Sequence, residues 1–105
     1  MDKPLIISGQ VCGKTTELIR LSNKHGYYIL VVNQDQAANV ARMAKTMKLD
    51  IPYPITISEL PLKSGKKING ILIDEVEQLL TTLIQKPIKA FTTSLDVVDL
   101  QTLIK

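Results

Sequence analysis

Ten consecutive residues near the N-terminus, Ser8-Gly9-Gln10-Val11-Cys12-Gly13-Lys14-Thr15-Thr16-Glu17, carry the types and spacing needed to hold phosphate. Glycine lets backbone N–H groups approach an anion with no Cβ in the way, and successive inward N–H groups make a concave nest for oxygen atoms. Lys14 would add a mobile positive charge at the terminal phosphates and Thr15 a hydroxyl ligand for Mg²⁺. The first turn of the following helix would aim its positive dipole end at the same anion, with Thr16 beside it. The spacing departs from the usual pattern at one point: the leading glycine position falls on Ser8, with Gly9 one place late. The plain alternative is a glycine turn ahead of a helix, with Lys14 solvated.

A second group of residues completes the chemistry. Asn69-Gly70 signals a turn, Ile71-Leu72-Ile73 is a short apolar run, and Asp74-Glu75 follows at its C-terminal end. Mg²⁺ is bound through one or two carboxylates and keeps most of its waters, which suits Asp74. Glu75 is the candidate to polarise an attacking water or hydroxyl, so Glu75 and Lys14 are the catalytic candidates. Read alone, Asp-Glu before a helix is a cap that complements the dipole.

Both groups depend on elements that bring them together. Leu5-Ile6-Ile7 predicts a buried strand ahead of the loop, and Thr16 to Lys24 a helix that stops at His25-Gly26. Tyr27 to Asn33 predicts a second buried strand. Gln36 to Leu49 predicts a helix with Ala37, Val40, Ala41, Ala44 and Met47 on one face. Ile55-Ile57 predicts a short strand and Ser58-Leu60 one helical turn ended by Pro61. After Ile71-Ile73, the stripe Val76, Leu79, Leu80, Leu83 and Ile84 predicts a helix ending before Pro87. Ile88 to Thr93 predicts another strand, and the Thr93/Asp96 spacing a capped helix over 95–104. Alternation of strands and helices implies an α/β domain in three layers, a small, mainly parallel sheet flanked by helices.

Composition sets limits on this reading. The 105 residues are expected to form one domain over 1–105, and 45% hydrophobic content supports a packed interior. No run approaches the 18 apolar residues of a membrane span, and no export signal is visible, so no membrane partner is expected. With one cysteine there is no internal disulfide, and the cytoplasm of a bacterial or phage-infected cell is the expected compartment. Cys12 lies inside the loop, as a space-filling residue or a redox-sensitive thiol. His25 is expected to complement its helix dipole and do no chemistry. The net charge of +3 is mild. Lys63, Lys66 and Lys67, with Lys86 and Lys89, are candidates for contact with DNA, although no interleaved aromatics are present to stack bases.

Taken together, Ser8 to Thr15 and Ile71 to Glu75 resemble the P-loop NTPases. The likeness is to the branch with an Asp-Glu Walker B motif, which includes RecA-type ATPases, helicases and phage DNA-packaging ATPases. Small P-loop proteins encoded by bacteriophages look similar. The resemblance implies ATP or GTP bound with Mg²⁺, slow hydrolysis, and a place in phage or mobile-element DNA metabolism. It also implies a strand ending at Thr93 between those ending at Ile7 and Ile73, with Thr93 or Ser94 sensing the γ-phosphate or merely capping the next helix. A helix arginine, Arg42 ahead of Arg20, would serve as arginine finger in an oligomer, or is simply solvated. Gly13-Lys14-Thr15, Glu17-Leu18-Ile19-Arg20, Asp74-Glu75 and Ser94-Leu95-Asp96 also look like a shortened cellular-type thymidine kinase. Those kinases carry a zinc module and a C-terminal lasso, both expected to be missing from this chain. A further alternative is a non-catalytic, nucleotide-dependent module that binds DNA or a protein.

Overall fold

A computed structural model describes residues 6–8, 13–62, 67–95 and 97–99. Gly9, Gln10, Val11 and Cys12 of the loop, Lys63 and Lys66, Asp96 of the capping pair and the stretch from 100 onward lie outside the described residues.

The order is β1 (Ile6–Ser8), α1 (Lys14–His25), β2 (Tyr28–Val31), α2 (Gln34–Thr46), β3 (Ile55–Thr56), a 3₁₀ turn (Ile57–Glu59), β4 (Ile71–Ile73), α3 (Val76–Ile84) and β5 (Val97–Asp99). Every pairing among the described strands is parallel. β3, β2 and β4 form one sheet with β2 in the centre, and β1 pairs with β5.

The central strand explains the layering. Its side chains alternate between faces, so Ile29 and Val31 meet Leu18 and Ile19 of α1 and Ala37, Val40 and Ala44 of α2. Leu30 points the other way, to Ile55 and Leu79 of α3. Two helices thus cover one face and a third covers part of the other. Each fully buried Ile or Val here contributes about 1.5–3 kcal/mol by leaving water.

The helix ends have local causes. Gly13 precedes α1 at φ 137°, a conformation open to glycine and strained for other residues. Gly26 closes α1 at φ 74°, its N–H donating to the Ser22 carbonyl at 2.7 Å. The Asn33 side chain caps α2 by accepting from the Gln36 N–H at 2.9 Å.

Four expectations are corrected. Residues 88–93 form no strand, and Phe91 is 68% exposed. Where a helix was expected over 95–104, residues Val97–Asp99 form β5 along β1, in register Ile6↔Val97 and Ser8↔Asp99. The partner of β1 is therefore β5, not a strand ending at Thr93. The α3 stripe is also thinner than its spacing suggests. Leu79 is buried, whereas Val76, Leu80, Leu83 and Ile84 are exposed.

Candidate functional site

Parallel strands place their C-terminal ends, and the N-termini of the helices that follow, on one edge of a sheet, where α/β ligands bind. Lys14 opens α1 after β1, and Asp74-Glu75 link β4 to α3. The Asp74 N–H donates to the Leu30 carbonyl at 3.3 Å, continuing the β2–β4 ladder one residue beyond the strand. Asp74 is thereby fixed to the central strand.

Two side-chain contacts join the two motifs. The Thr15 hydroxyl donates to Asp74 Oδ2 at 3.0 Å across 59 positions of sequence. Lys14 Nζ stands 3.5 Å from Glu75 Oε1, with both side chains partly exposed. Burial pushes the Asp74 carboxyl above the usual aspartate range. The Thr15 hydrogen bond opposes that shift, the Glu75 charge adds to it, and the Lys14 charge opposes it. The result is a hydroxyl and an under-compensated carboxylate side by side, a donor set of hard oxygens suited to a small divalent cation.

Glu75 sits in the left-handed region at φ 59°, ψ 65°, rare for a residue with a side chain. Its carbonyl receives the first hydrogen bond of α3, from the Leu79 N–H at 3.0 Å, while its carboxylate makes no cap. That carboxylate turns to Lys14 instead.

Ser8 ends β1 and Thr16 lies half-buried in the first turn of α1. Thr93 and Ser94 are exposed in irregular backbone, and the Thr93 hydroxyl accepts the Leu95 N–H at 3.0 Å in a local turn. Arg42 is exposed and donates to Asn39 Oδ1 at 2.7 Å, and Arg20 lies 4.0 Å from Glu17. An open groove of about 430 Å³ runs along α1 and α2, lined by Thr16, Arg42 and Met43 among others, and includes none of Lys14, Thr15, Asp74 or Glu75.

Sequence reasoning missed a positioning residue, Gln36. Its Oε1 accepts the Val32 N–H at 3.1 Å just past β2, and its Nε2 donates to Gln78 Oε1 of α3 at 3.3 Å. The signal was present: Asn33 followed three residues later by Gln36 is a capping-box spacing. No helix among the described residues is long and apolar enough to cross a membrane. Comparison with family models, with curated proteins and with solved structures finds no match to this chain.

Proposed function

We propose that this chain is a minimal P-loop-type domain that binds a nucleoside triphosphate, ATP or GTP, together with Mg²⁺ and hydrolyses it slowly. The observation that carries this reading is the Thr15–Asp74 hydrogen bond. It joins the residue after a loop lysine to the carboxylate at a strand end, the two ligand types that Mg²⁺-nucleotide chemistry needs together. Lys14 at the start of α1 would meet the terminal phosphates with the helix dipole behind it. Thr15 and Asp74 would hold the cation, which when bound supplies charge neutralisation at the phosphates. Glu75, adjacent but differently aimed, is the candidate base for a water. The proposed setting is phage or mobile-element DNA metabolism, by analogy with the proteins these motifs resemble.

One observation favours a second reading, a nucleotide-dependent binding module without turnover. One Glu75 oxygen, Oε1, faces Lys14 in the free protein, an ion-pairing role for the carboxylate that needs no turnover. Phosphate release measured with and without DNA separates the two readings.

Lys14→Ala tests the shared core of both. The ion pair it removes is partly exposed and contributes about 0–1 kcal/mol, so the fold should survive. Loss of a charge-assisted phosphate contact should cost about 2–5 kcal/mol of binding, roughly 30-fold or more. Isothermal titration with Mg-ATP and Mg-GTP, alongside circular dichroism, decides it. Unchanged affinity in a folded variant would remove the phosphate-site reading.

A further inference from the structure

The Lys14–Glu75 pair has a geometry that goes beyond a surface ion pair. Lys14 Nζ is 3.5 Å from Glu75 Oε1, and Glu75 reaches it from a left-handed backbone at φ 59° without capping the helix it begins. A glutamate seldom holds that conformation unless its surroundings compensate it. A carboxylate on Lys14 occupies the place where an anionic ligand oxygen would be received. We infer that Glu75 is an autoinhibitory latch: in the free protein it holds Lys14 as an internal anion, and a polyphosphate must displace it to bind. This rests on the phosphate-site reading and adds to it a built-in competitor. Once phosphate has taken the lysine, both Glu75 oxygens are free to accept from a water, whereas in the free protein Oε1 faces Lys14.

Inorganic tripolyphosphate, titrated calorimetrically in EDTA, probes the contact without base recognition or Mg²⁺. Glu75→Gln removes the competing charge, and Glu75→Gly does so with a residue at ease at positive φ, which guards against a variant that fails to fold. Both should bind about two- to fivefold more tightly than wild type, the range of a partly exposed ion pair. Glu77→Gln, which removes an exposed carboxylate from the first turn of α3, should match wild type. If wild type binds and the Glu75 variants bind equally or less well, the latch is wrong and the phosphate site stands. An equal gain in Glu77→Gln would make the effect one of net charge and also overturn the latch. Absence of binding in every protein would overturn the phosphate site and the latch with it.

Discussion

Leu79 is the buried anchor of α3, and the position of Glu75 depends on α3 staying docked. The side chain is 4% exposed and packs with Leu30 and Ile55, whereas Leu83, one turn further on, is 50% exposed. Leu→Ala at a fully buried site costs about 2–5 kcal/mol, the spread depending on how far the cavity collapses. Here the neighbouring α3 side chains are exposed and can settle inward, which places Leu79→Ala toward the lower end, at about 2–3 kcal/mol. For a domain of this size that is a fall in Tm of roughly 10–15 °C. Leu83→Ala should cost well under about 1 kcal/mol, since much of its apolar area already meets water. Urea denaturation read by circular dichroism gives both values on one scale. Equal losses at the two positions would mean that the whole stripe is buried, and the partial cover of this sheet face would be refuted.

Two other perturbations read the site through the fold. Asp74→Asn keeps an acceptor for the Thr15 hydroxyl and removes a carboxylate whose ionised form is penalised by burial. Because the folded state holds the Asp74 proton more tightly than the unfolded chain, stability should fall as pH rises from the usual aspartate range through the raised value. The variant should flatten that slope, be at least as stable as wild type at neutral pH, and lose the Mg²⁺-dependent part of nucleotide binding. Urea midpoints across pH 3–7 (roughly the carboxylate range) check the first part; an unchanged slope in the variant would contradict it. Gly70→Ala would place a Cβ 2.7 Å from Tyr27 Cδ1, on a ring already stacked against His25 at 5.0 Å between centroids. Overpacking of this kind costs about 1–3 kcal/mol. It should also disturb the Tyr28 N–H to Gly70 carbonyl bond that starts the β2–β4 ladder, and a variant with wild-type urea stability would show that the ring moves freely.

Much of the α/β core was legible in the sequence because its signals are local. The 3.6-residue spacing of Ala37, Val40 and Ala44, the glycine at 26 and the apolar run 71–73 each specify an element without reference to the rest of the chain. The C-terminal part was not legible. Ile88 to Thr93 alternates like a strand, but β propensity expresses fit to a neighbouring pleated surface, and no described strand accepts it. Val97 and Val98 are β-branched and pair with Ile6 and Ile7, a long-range contact that outweighs the Thr93/Asp96 spacing read as a helix start.

The site was legible to a different depth. Residue types and order singled out Lys14, Thr15, Asp74 and Glu75 as candidates, because a strand, a turn and a helix dictate where such residues stand along the chain. The approach of Thr15 to Asp74 was expected through a shared Mg²⁺, whereas the Lys14–Glu75 contact was not legible, since it depends on the backbone turn after β4. By fixing Asp74 through its own N–H to Leu30, the ladder from β2 to β4 decides that the carboxylate beside the Thr15 hydroxyl is Asp74. Glu75, one residue beyond, has left the ladder and entered a left-handed turn, which re-aims its side chain toward Lys14. Adjacent carboxylates thus acquire different partners from a single change in backbone handedness. That change leaves Asp74 with the Thr15 hydroxyl and turns one Glu75 oxygen to the lysine, the contact that a bound polyphosphate would have to replace under the latch proposed above.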